Sequence, residues 1–191
     1  MDNKEVIWTH EKKFAARLAN KVLVKPKLSA WMIFIPFIFI FYFQDFSAYK
    51  KQRKAFLDNW LLSRKKALNE AEEAMEENRK PDTASLAREA DLKPKVHPLY
   101  ESLLTVMAAH YTRELNAQGD TYHALVRSAY GNQKGDFVFF INQLAHAEHA
   151  LNQALMPQLR KTSENVGATI KKIEKNSERI RRLEINEIFA A

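Results

Sequence analysis

Between Leu28 and Phe43 the chain reads LSAWMIFIPFIFIFYF, sixteen residues without a charge. A helix in a soluble domain carries apolar residues on one stripe, whereas this run carries them on every face. The run therefore predicts a membrane segment over 28–44, ahead of a core helix. At 1.5 Å per residue it covers roughly 24 Å of a hydrocarbon layer about 30 Å thick. With Lys27 reaching one headgroup layer and Gln44 and Asp45 the other, that length suffices for a single span. Pro36 opens a second path. It removes a backbone donor and clashes with the preceding turn, so the two arms could dip into the bilayer and return on the same side. Trp31 and Tyr42 suit the membrane interface on either path.

Charge is concentrated beside this run. Residues 1–27 hold seven Lys or Arg against three acids, a formal +4, and residues 44–66 hold seven against two, a formal +5. The whole chain is only +7, so the remainder is slightly acidic. This pattern does not describe a nucleic-acid-binding domain. It describes basic flanks, Lys21, Lys25 and Lys27 before the run and Lys50, Lys51, Arg53 and Lys54 after it, facing a bilayer and its anionic headgroups. The positive-inside rule needs an asymmetry between flanks, and the two are balanced. The side of the bilayer that carries the C-terminal part is therefore left open. The long polar stretch before Leu28 and the absence of a small-residue site after Phe43 argue against a cleaved signal peptide.

Few glycines, no cysteine and an excess of Ala, Leu, Lys and Glu predict an all-α chain. The expected architecture is a membrane-anchored antiparallel helical bundle of long amphipathic helices, with one apolar membrane segment. Residues 1–27 form a basic amphipathic N-terminal helix. Ile7, Phe14, Leu18 and Val22 recur at helical spacing over 5–24, which suits either the membrane surface or the rest of the protein. Residues 45–191 form the bundle. Helices are expected at about 46–79, 83–91, 98–117, 120–130, 137–156 and 157–187, with 93–98 as a Pro-rich linker, Gly119 as a C-cap, and Asp120 and Asp136 as N-caps. In the last helix Leu159, Val166, Ile173 and Ile180 recur every seven residues. Their partner positions are Thr162, Thr169, Asn176 and Leu183. Half the seam is polar, so packing along 46–79 of the same chain competes with a coiled coil formed by self-association or with a protein partner through 157–187.

Four polar residues interrupt apolar stripes. Glu114 shares a face with Leu103, Met107 and His110. Glu148 lies among Phe137, Ile141, Leu144, Leu151 and Leu155, and Arg64 lies with Leu57, Trp60 and Ala71. A buried charge must be paired, so Arg64, His110, Glu114 and Glu148 are expected to meet in one core, with Arg64 bonded to Glu114 or Glu148. A di-iron bundle needs Glu-x-x-His, which is absent, and metal binding is the weaker reading of these residues. His146 and His149 point away from the apolar arc, and His10, His97 and His123 carry no pattern. No metal site or cofactor is expected. There is no GxSxG, P-loop or GxGxxG. The function expected is that of a membrane-anchored helical docking or accessory protein, integral to a cell membrane and without catalytic residues. The alternatives are an interfacial enzyme or carrier acting on a membrane-linked substrate, and a metal-binding bundle.

Overall fold

A computed structural model describes residues 2–23, 49–159 and 166–190. The apolar run, Pro36, Lys25 and Lys27 lie outside these residues. Every regular element among them is helical. Seven α-helices follow one another: α1 (Asn3–Val22), α2 (Tyr49–Glu76), α3 (Thr83–Arg88), α4 (His97–Leu115), α5 (Tyr122–Ala129), α6 (Lys134–Leu159) and α7 (Val166–Ile188). Among the described residues no helix is long and apolar enough to cross a membrane.

Local chemistry accounts for the boundaries. Asp2 caps α1 by accepting from Lys4 N. The chain leaves α2 through Asn78, whose φ of 51° is the left-handed conformation that asparagine tolerates, so the helix stops ahead of Lys80-Pro81. The expected 93–98 linker holds a 3-10 turn, Pro94–Val96, which runs directly into α4. Pro98 sits in the first turn of α4, where its missing N–H costs nothing. Thr121, not Asp120, caps α5, its Oγ1 accepting from Ala124 N at 3.2 Å. Gly119 is required by a close approach: a Cβ there would lie 2.7 Å from Ala124 Cβ. Helix α6 starts before Asp136 and passes through Pro157 near its end, where the expectation was a break.

Helix α1 is a core element. Ile7, Ala15, Leu18 and Ala19 are all fully buried, and the helix packs on α2, α7 and α4. Along α2, Glu72, Arg64 and Trp60 meet Lys4, Glu11 and Phe14 of α1 in turn. Numbers rise along one helix as they fall along the other, so the pair is antiparallel. The same holds for α1 and α7, through His10–Glu184 and Lys172–Val22, and for α6 and α7, through Glu148–Arg181 and Asn152–Glu174. The C-terminus of α1, the N-termini of α2 and α7 and the C-terminus of α6 therefore share one end of the bundle.

Two expected stripes shift. In α2, Phe56, Trp60, Ala67 and Ala71 are buried, but Met75 is exposed. Helix α7 packs on α1 and α6 instead of on α2. Its buried face runs Val166, Ile170, Ile173, Ser177, Ile180, Arg181, Glu184, Ile185 and Ile188. That is the wide stripe of a globular helix, with period near 3.6, and it carries Leu183 of the heptad seam out into solvent.

Candidate functional site

The centre of the bundle is charged. Helix α6 presents Glu148 where its neighbours Leu144 and Leu151 are buried, and two guanidiniums meet it there. Arg181 of α7 grips it with both arms, Nη1 to Oε2 at 2.7 Å and Nη2 to Oε1 at 2.6 Å. Arg64 of α2 donates from Nη2 to Oε1 at 2.9 Å. Two-armed guanidinium–carboxylate contacts are among the stronger charge-assisted bonds. Burial works against charge on Glu148, but Arg181 and then Arg64 outweigh it and hold the carboxyl below its ordinary range. The Arg64 side chain also bonds Trp60 O at 3.1 Å and lies 4.0 Å over the Trp60 ring.

Helix α1 supplies the next anion. Glu11 Oε2 lies 3.0 Å from Arg64 Nε in an ion pair, and its Oε1 accepts from the Tyr111 hydroxyl at 2.7 Å. Beside it His10 Nε2 lies 2.6 Å from Glu184 Oε1 of α7, and the imidazole stacks on Tyr122 of α5 with ring centroids 3.3 Å apart. Glu11, Arg64, Glu148, Arg181, His10 and Glu184 thus join α1, α2, α6 and α7 in one polar cluster, with Tyr111 and Tyr122 closing it from α4 and α5.

Helix α4 contributes a different pair. Glu114 is fully buried, and neither carboxyl oxygen meets a donor in hydrogen-bonding geometry. Burial first, then the negative charge of Glu11, pushes its carboxyl well above the ordinary range, and a pull from Tyr122 opposes this only in part. Burial thus favours the protonated form of this carboxyl. His110 Nε2 lies 3.2 Å from Glu114 Oε1, and His110 Nδ1 lies 2.8 Å from the Tyr130 hydroxyl. Burial, and after it the charges of His10 and Arg113, pushes His110 well below its ordinary range. The imidazole is packed against Phe140 with centroids 3.9 Å apart. Both shifts disfavour the charged forms, which lowers the cost of burying this pair in an aromatic enclosure.

Of the four residues expected to meet, Arg64 and Glu148 are bonded, and His110 and Glu114 form a separate neighbouring pair. Arg64 takes Glu11, not Glu114, as its second anion. Arg181, Glu11, His10 and Glu184 were not expected at the site. Glu11 interrupts the stripe of Ile7, Phe14 and Leu18, the same misfit that singled out Glu148. His146 and His149 are exposed, and His149 lies 3.2 Å from Glu174. Among the described residues no group of three His, Cys, Asp or Glu is placed to hold a metal ion. The cavity lined by His10, Glu11, His110, Tyr122, Arg181 and Glu184 has a volume of about 30 Å³. That matches the space of about one water and is far below the volume of an organic ligand site. What the cluster does chemically is hold helices together. In particular, it ties α1, which precedes the apolar run, to α2, α6 and α7, which follow it. The chain matches no protein-family model, no curated protein and no solved structure.

Proposed function

We propose that this chain is a membrane-attached helical docking or accessory protein. Its bundle stands on one face of a bilayer, and residues 28–43 enter the lipid and return to the same side. The observation that carries this reading is the antiparallel pairing of α1 with α2, clamped by Glu11–Arg64. Leu23 ends the first helix and Tyr49 begins the second at the same end of one body. A single span would place those two points on opposite sides of a hydrocarbon layer about 30 Å thick. It would also pull Ile7, Phe14 and Leu18 out of the core. Balanced basic flanks suit same-side attachment, as they would a weakly biased span, so the helix pairing carries the choice. The ion cluster is internally paired around a water-sized cavity, and although open clefts of about 350 and 460 Å³ reach Arg181 from the surface, the mutual pairing of its charged groups supports a scaffold over an enzyme.

Attachment is tested by alkaline and high-salt extraction of membranes. The full chain is expected to stay in the pellet. A Phe34→Lys/Ile38→Lys variant, which puts charge into the apolar run, is expected to move to the supernatant. A wild-type chain recovered mainly in the supernatant overturns the reading.

A further inference from the structure

The bundle is electrically polar along its axis. At the end where α1 finishes and α2 and α7 begin, each helix is free of acids. Beyond Glu11, α1 carries Lys12, Lys13, Arg17 and Lys21. Before Asp58, α2 carries Lys50, Lys51, Arg53 and Lys54, and before Glu174, α7 carries Lys171 and Lys172. The last turns of α6 carry no charge. At the far end α2 carries Glu70, Glu72, Glu73 and Glu76, with Glu77 just past it, and α1 has Asp2 as its cap and Glu5 in its first turn.

The two ends also differ in how their charges are used. At the acidic end, Lys4 pairs with Glu72, and Arg79 with Glu70 and Glu77, with Lys80 beside them exposed. At the basic end, Arg17, Lys21, Lys51, Lys54 and Lys171 are exposed, and none forms an ion pair among the described residues. Lys172 is the exception there. Its Nζ lies 2.8 Å from Val22 O, where it satisfies the open carbonyl end of α1. Five exposed cations from three helices crowd this end, where the register places only Asp58 near the level of Arg17 and Glu174 near that of Lys21, and the net positive charge is repulsive. An anionic surface relieves that repulsion.

We propose that this end of the bundle is an electrostatic docking face for an anionic bilayer surface, so that the molecule stands upright with the acidic end of α2 directed away from the lipid. The inference rests on the membrane attachment above and adds orientation and lipid charge to it. The shape of the face fits the partner. Cations from α1, α2 and α7 are spread across the end of a bundle, as a planar array of headgroups requires, and do not converge on one point as a single phosphate would. Attraction of this kind acts within a Debye length of about 10 Å, so it discriminates the near end from the far end.

The chain has no cysteine, so single-cysteine variants of the full protein can carry one fluorophore each. Asn20→Cys marks the basic end and Glu77→Cys the acidic end, both at exposed positions. Each is reconstituted into vesicles of phosphatidylcholine alone, or of phosphatidylcholine with phosphatidylglycerol, doped with a headgroup-attached quencher. In the anionic vesicles the label at 20 is expected to be quenched at least threefold more than the label at 77. The contrast is expected to shrink in half-molar salt and in an Arg17→Glu/Lys21→Glu/Lys51→Glu/Lys54→Glu background that still floats with the vesicles. Equal quenching of the two labels, or the same contrast in both lipids, overturns the docking face while leaving attachment standing. A full chain that floats with neither vesicle overturns attachment and the docking face together.

Discussion

Glu11 and Arg64 are joined at 3.0 Å although the whole uncharged run lies between them in sequence. The contact is partly shielded, with the Arg64 side chain only 3% exposed and that of Glu11 14%. It makes α1 and α2 two sides of one antiparallel pair, and so determines where the intervening residues must start and finish.

The clamp predicts a graded response to truncation. Glu148→Ala leaves the Arg64 and Arg181 guanidiniums in the core without their shared carboxylate, at a cost on the order of 3–5 kcal/mol in denaturant unfolding. Adding Arg64→Met recovers only part of this, because Arg181 remains without Glu148 and Glu11 loses its own cation. Adding Arg181→Met as well is expected to recover more. A complete rescue by Arg64→Met alone would mean that Arg181 does not depend on Glu148.

Helix α1 offers a test of its place in the core. Leu18 is fully buried. Leu18→Ala is expected to cost about 2–5 kcal/mol of bundle stability. A helix lying on lipid would lose membrane affinity instead and leave the unfolding midpoint unchanged.

Glu114 and Glu148 predict opposite pH limits. The Glu114 carboxyl is raised in the fold, so its contribution is fully present below the ordinary glutamate value and is lost as pH rises through the folded value. Glu148 is lowered, so its contribution is present above the ordinary value and is lost as pH falls through the folded one. Glu114→Gln should therefore gain stability over the wild type as pH rises, with a slope of at most about 1.4 kcal/mol per pH unit. Parallel stability curves for the two proteins would show that Glu114 titrates normally.

The α4–α5 connection depends on Gly119. A Cβ there would come within 2.9 Å of the Ala124 and Leu125 backbone, whereas at Gly135 it meets nothing within 4 Å. Gly119→Ala is expected to lower stability by about 1–3 kcal/mol, with Gly135→Ala as the neutral control.

Helix identity was legible because each long helix repeats its apolar residues at 3.6-residue spacing. Boundaries were less so where capping residues compete: Thr121 against Asp120, and Asn78 against Pro81. Arg64 and Glu148 could be read as misfits in apolar stripes. Arg181 could not, because the seven-residue repeat of Val166, Ile173 and Ile180 suggested a narrow seam beside which Arg181 would be solvated. The buried face of α7 is wider than a single line of Val166, Ile173 and Ile180, and it includes Arg181. Glu11 and His10 were hidden for a related reason. A basic helix next to an apolar run suits a lipid surface as well as a protein core, and only the partner helices distinguish the two.

The most direct measurement is side-specific labelling of single cysteines at Lys13 and Asp58, exposed positions on the two helices that flank the run. Sealed membranes bearing each variant are treated with a membrane-impermeant maleimide before and after permeabilisation. Same-side attachment predicts that both positions react in the same compartment, either both before permeabilisation or both only after it. If one reacts before and the other only after, the chain crosses the bilayer between α1 and α2, and the Glu11–Arg64 clamp cannot exist in the membrane.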